Sequence, residues 1–255
     1  AVRGQDFEQL KENIAEAKIF WVVLSALLGL ASHYSRAIRW NLLIQPLGYR
    51  PRTANTFMAV MSGYFANLAF PRLGEVSKCA VLKRYEGVPI NKLLGTMIVE
   101  RAMDLLYLLL FTIALFIVEF DLVMDLLLGM FSEKMADSAS SGTMWLWLAI
   151  IAVVGTALAF IVWRLIRHTA FGIKLGNLIA GFAEGLKTVG QLENKWLFLF
   201  HSTLIWVLYF IMSYVVLLAF DATAHLGLVA GLAVFVFGSF GMVAPVQGGI
   251  GAYHF

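Results

Sequence analysis

The chain has 255 residues, 60 % hydrophobic and 14 % charged, with a mean hydropathy of +0.81 and a net charge of only +3. A soluble domain carries about one charged residue in four, so this composition points to an integral membrane protein and excludes a soluble catalytic domain or a nucleic-acid-binding module. The single cysteine, Cys79, excludes an internal disulfide and any multi-cysteine metal site.

In chain order, residues 5–18 are polar and amphipathic. A spanning helix is expected over 19–40, ending on Arg36, Arg39 and Trp40, with the two arginines three apart and so on one helix face. Residues 45–52, with Pro46, Gly48 and Pro51, form a turn-rich connection. Residues 53–70 are an apolar segment broken by Gly63, Asn67 and Pro71, and 74–87 a short charged helix. A polar-centred span follows over 90–120. Residues 121–131 alternate acids with Leu and Met and are expected along the interface. Spans are expected at 144–163 and 196–220, with an amphipathic stretch at 169–193 whose regularly spaced glycines suit close helix contact. Residues 226–243 are apolar and glycine-rich, ending at Pro245.

Loop charges set the topology. Residues 36–52 hold four arginines and no acid; 72–92 and 164–195 each hold five basic and two acidic groups; 119–142 holds five acids against one lysine. Basic loops stay cytoplasmic, which places the first three inside and 119–142 with 221–225 outside. Because 36–52 and 72–92 fall on the same side, 53–70 is expected to enter the membrane, break at Pro71 and return; the alternative is that it crosses and the charge rule fails at one loop. Residues 226–243 would dip from the other face. Two Gly/Pro-broken segments in matching halves are the sequence signature of a transporter-type binding site and are consistent with an inverted repeat. The fold class is therefore all-α: a polytopic transmembrane helical bundle with two re-entrant segments, read as a single domain over 1–255. The chain starts at Ala1 without Met and stops soon after Gly-Gly-Ile-Gly at 248–251, and so reads as an internal piece of a longer protein.

Two polar clusters carry the functional expectation. Glu100, Arg101 and Asp104 interrupt an apolar run; each such charge costs roughly 2.5–3.5 kcal/mol at a helix centre, so ionisable groups there pair with one another or line a pathway. Glu100 and Asp104 share a helix face, and Arg101 reaches a neighbouring helix or Glu75; the plainer reading is an ion-pair knot that locks helices together. In the second cluster, Pro71 to Glu75, Arg72 suits an anionic headgroup, while Glu75 pairs with Arg72 or caps the next helix; an ordinary interfacial turn is equally compatible. Arg36 and Arg39 alone read as cytoplasmic anchoring. The five histidines, 33, 168, 201, 225 and 254, share no metal-ligand spacing, so neither metal nor cofactor is expected.

Taken in order, Arg36-x-x-Arg39-Trp40, Gly63-Tyr-Phe-x-Asn67, Pro71-Arg72-x-Gly-Glu75, Glu100-Arg101-x-x-Asp104 and Pro245-x-x-Gly-Gly-Ile-Gly resemble the lysylphosphatidylglycerol synthase transmembrane-region family, a flippase-like domain, across residues 19–254. Where the family often carries an acid after its late glycines, this chain has Tyr253-His254. The resemblance implies a multi-pass protein of a bacterial-type inner membrane, with one helix before residue 1 and more after 255. It also implies a domain that moves aminoacylated lipid made by a separate soluble domain not contained in these residues. The expected role is translocation or binding of an anionic phospho- or polyprenyl-lipid. Arg72, Glu75, Glu100, Arg101, Asp104, Arg36, Arg39, Asn67 and Gln247 are the candidate substrate-binding residues. A lipid-modifying enzyme and a structural membrane subunit are the alternatives, and a homo-oligomer or partner membrane protein is left open.

Overall fold

The computed structural model describes residues 17–69, 73–120, 185 and 187–243. The chain divides into two compact units, residues 1–115 with 185–255, and residues 116–184. Of the second unit the described part is residues 116–120, and the helix packing belongs to the first unit.

Every regular element among the described residues is a helix: α1 Ile19–Ile44, a 3-10 turn Gln45–Leu47, α2 Thr53–Ala69, α3 Leu73–Glu86, α4 Ile90–Val118, α5 Lys195–Leu218, α6 Asp221–Ala224 and α7 Leu228–Val243. At 1.5 Å per residue, α1, α4 and α5 extend about 36–43 Å, more than the ~30 Å of a bilayer's hydrocarbon. These three are also long and apolar enough to cross a membrane. Helix α1 runs one turn beyond the expected residue 40 because its last turn is itself core: Trp40 to Ile44 are all buried. Pro46 then tightens the chain into the 3-10 turn, and Gly48, at φ 87°, takes the left-handed conformation that ends it.

Cross-helix contacts fix the directions. The backbone N–H of Lys18 donates to the Ala219 carbonyl (2.9 Å), Ser25 to the Met212 carbonyl (3.3 Å), and Ser35 lies 2.8 Å from His201, so α1 and α5 are antiparallel. Trp40 meets Thr96, and Arg36 meets Asp104, so α1 and α4 are antiparallel too. The Tyr107–Thr203 contact sets α4 parallel to α5. Three apolar clusters follow: Trp40, Ile44, Val60, Leu82 and Leu93 tie α1 to α4. Leu43, Met103 and Phe198 join α1, α4 and α5, and Leu108, Ile205, Trp206 and Phe235 join α4, α5 and α7.

Helices α2 and α3 form a hairpin. The Gly74 N–H donates to Asn67 Oδ1 (2.8 Å), supplying from across the hairpin a partner for an otherwise unsatisfied first-turn amide of α3. A Cβ on Gly74 would sit 2.2 Å from the Gly63 carbonyl oxygen, so the helices pack backbone to backbone. At the open end, Glu86 accepts from the Asn55 side chain (2.5 Å) and the Arg52 N–H (3.2 Å). The segment after residue 53 therefore goes out and comes back, the course expected from the loop charges. Residues 70–72 lie outside the described residues, as do Pro245 and everything else after Val243, the 121–131 segment and the 144–163 span.

Candidate functional site

Helix α4 brings Glu100 and Asp104 to the face it shares with α1 and α3. Each oxygen of Asp104 takes one arginine of α1: Oδ2 accepts from Arg36 Nη1 at 3.2 Å, and Oδ1 from Arg39 Nη2 at 3.0 Å. Glu100 Oε2 accepts from Lys78 Nζ of α3 at 2.7 Å, while its Oε1 lies 3.5 Å from Arg39 Nη2. The three-residue spacing of Arg36 and Arg39 and the four-residue spacing of Glu100 and Asp104 put each pair on one face, and the antiparallel packing aligns the faces. The Arg39 side chain is 0 % exposed and that of Glu100 4 %.

Three cations meet two carboxylates in this network, leaving one positive charge over. Its hydrogen bonding is also incomplete: Arg36 Nε, Arg39 Nε and Nη1, and Glu100 Oε1 are buried without a hydrogen-bond partner among the described residues. A buried guanidinium N–H left unmatched is costly, so the three arginine nitrogens are donors that lack an acceptor, while Glu100 Oε1 is an acceptor that has only the Arg39 guanidinium at 3.5 Å beside it.

Aromatic side chains wall the network. Phe198 lies 6.0 Å from the Arg39 guanidinium, Tyr209 5.9 Å from that of Arg36, and the Trp40 ring 4.5 Å from the Lys78 ammonium, distances at which ring faces attract cations. Trp40 is fixed by its indole N–H donating to Thr96 Oγ1 (2.8 Å). On the other side His33 packs on Tyr64, ring centres 4.2 Å apart, and the Tyr64 and Tyr209 hydroxyls are 3.2 Å apart.

Of the candidate residues, Arg36, Arg39, Glu100 and Asp104 meet in the network. Arg101 and Glu75 pair with each other on an exposed face between α4 and α3. Asn67 holds the hairpin together, and Arg72 and Gln247 lie outside the described residues. Lys78 is the member that sequence reasoning missed. It sits on a charged helix, where a lysine reads as solvated; its position three residues after Glu75 was the available signal. Among the described residues no group of three or more His, Cys, Asp or Glu is placed to hold a metal ion.

Three long apolar helices, α1 running against α4 and α5, with a charged network closed between α1, α4 and helix α3 of the hairpin, define a multi-pass helical membrane protein with an internal polar site. The chain belongs to the lysylphosphatidylglycerol synthase TM region family, whose model matches residues 1–255. It is 30 % identical over 96 residues to a UPF0104 membrane protein of Methanocaldococcus jannaschii, a match spanning 36 % of this chain and 29 % of that protein. No solved structure matches it.

Proposed function

We propose that the protein binds an anionic membrane lipid, a phospholipid or polyprenyl phosphate, by its headgroup and carries it across a bacterial-type inner membrane. The observation that carries this is the surplus cation of the buried network together with the unmatched N–H groups of Arg36 and Arg39. A phosphate oxygen satisfies both: guanidinium groups bind phosphate through paired N–H donors, and one negative charge neutralises the site. Glu100 and Asp104 hold the cations in place and keep the empty site from carrying three uncompensated charges. The membership of a lysylphosphatidylglycerol synthase family agrees with a lipid substrate.

The test is selective stabilisation of the purified protein in neutral detergent. Dioleoylphosphatidylglycerol should raise the melting temperature and dioleoylphosphatidylcholine should not, and Arg39→Met should abolish the difference. Equal shifts with both lipids would refute headgroup recognition. A scaffold is the second reading, favoured by the way the network ties α1, α3 and α4 together; it requires Arg39→Met to lose stability and leaves lipid selectivity without a cause.

A further inference from the structure

Glu75 and Arg101 form an ion pair in an unusual setting. Their side chains are 39 % and 70 % exposed, yet Arg101 lies eleven residues into α4, about 16 Å along the helix from Ile90. That depth is within the hydrocarbon of a bilayer that α4 spans, and charged side chains there face water or protein rather than acyl chains. Around the pair the exposed surface is apolar: Leu73 and Val76 on α3, Leu94, Ile98 and Leu105 on α4. A charged spot framed by apolar side chains complements an amphiphile, with its headgroup on the charges and its tails on the frame.

The pair also abuts the buried network. Glu75 and Lys78 are one turn apart on α3, and Arg101 follows Glu100 on α4, so an outer pair (Glu75 with Arg101) stands beside an inner pair of opposite sense (Lys78 with Glu100). We infer that the seam between α3 and α4 at Glu75–Arg101 is a hydrated lateral portal, through which an anionic lipid headgroup passes to Arg39 while its tails remain in the bilayer. This rests on the headgroup site proposed above. An anion arriving at Arg101 releases Glu75, which turns to Lys78; Lys78 leaves Glu100, which keeps Arg39 at 3.5 Å. Each carboxylate retains a cation throughout, so no step strands a charge, and the anion advances from Arg101 towards the free donors of Arg39.

The experiment uses the whole protein in vesicles, in a Cys79→Ser background, with a membrane-impermeant cationic thiosulfonate. Only a hydrated thiol ionises and reacts, so Arg101→Cys should be modified at least about tenfold faster than Leu109→Cys, two turns along α4. The lipid comparison uses Ile98→Cys, about one turn from Arg101, which keeps the guanidinium: its rate relative to that of Leu109→Cys, a ratio that cancels the enrichment of a cationic reagent at an anionic surface, should be lower in vesicles of phosphatidylglycerol than in vesicles of phosphatidylcholine. Reaction no faster than at Leu109→Cys means that the seam packs against lipid or protein, and an equal ratio in the two lipids means a wet surface that takes no anionic lipid; either result overturns the portal. Should Arg101→Cys not accumulate, Ile98→Cys on the same face gives the same decision. If wild-type protein keeps its selective stabilisation by phosphatidylglycerol while the portal fails, the site stands and the route alone is wrong.

Discussion

With Arg39 taken away, Lys78–Glu100 and Arg36–Asp104 remain as two complete ion pairs; with Glu100 or Asp104 neutralised, two positive charges are left over in a buried place. Uncompensated buried charge is what makes breaking a buried pair cost about 3–5 kcal/mol, whereas replacing ionic groups by apolar ones of similar volume is often neutral. Glu100→Gln and Asp104→Asn are therefore expected to lose about that much stability, and Arg39→Met, which keeps the packing on Phe198, far less. Unfolding midpoints of the three variants in one mild detergent check the order, and an Arg39→Met variant as unstable as the other two contradicts it. The two carboxylates were legible in the sequence because an acid in an apolar run is conspicuous. Arg36 and Arg39 entered the candidate set only through the family resemblance: by themselves they carry the same signature as lysines and arginines that merely anchor a helix end, and the antiparallel packing of α1 on α4 is what shows them to be the carboxylates' partners.

At the scale of the element, the α2–α3 hairpin was legible from charge and its construction was not. Two basic loops flanking one apolar segment favour a chain that returns, and the Asn55–Glu86 contact closes that return. What permits it is the meeting of Gly63, Asn67 and Gly74, residues that a sequence reading takes as breakers of a helix. A methyl group on Gly74 would fall 2.2 Å from the Gly63 carbonyl oxygen and 2.6 Å from the Asn67 side chain. The nearest obstacle is backbone and cannot swing aside. Gly74→Ala should therefore cost about 1–3 kcal/mol, the range of overpacked cores. Gly95→Ala is the matched control: a Cβ there meets nothing within 4 Å, and alanine in a helix interior gains about 0.5–1 kcal/mol over glycine. Thermal melts of the two variants should move in opposite directions; a Gly74→Ala protein that melts with the wild type means that the helices are not in backbone contact.

For the whole molecule, the helix directions sort the described charges by end. Arg50, Arg52, Lys83, Arg84, Lys92 and Lys195 lie at the end where α1 finishes and where α4 and α5 begin. Lys92 donates to the Leu47 carbonyl there (3.4 Å), and Arg50 and Glu193 line one cavity of about 310 Å³. Lys18 and Asp221 pair at the other end. No bilayer fits between Arg50 and Lys83, since Glu86, less than one turn after Lys83, bonds to the Arg52 N–H. By the positive-inside rule, the surplus of basic residues predicts that this shared end faces the cytoplasm. Single cysteines at Arg50 and at Lys83, in a Cys79→Ser background, are expected to react with an impermeant maleimide only when the cytoplasmic face is open, and a cysteine at Asp221 only from the opposite side. Cys79 itself is buried against Met97 and adds little signal before its replacement. Labelling of Arg50→Cys and Lys83→Cys from opposite faces would mean that residues 53–69 cross in the membrane. The hairpin would then be undone, and with it the seam that presents Glu75 and Lys78 to α4. Labelling of both from the outer face would leave the hairpin intact and invert the whole bundle, with the network still about 16 Å along α4 and so near the middle of the bilayer.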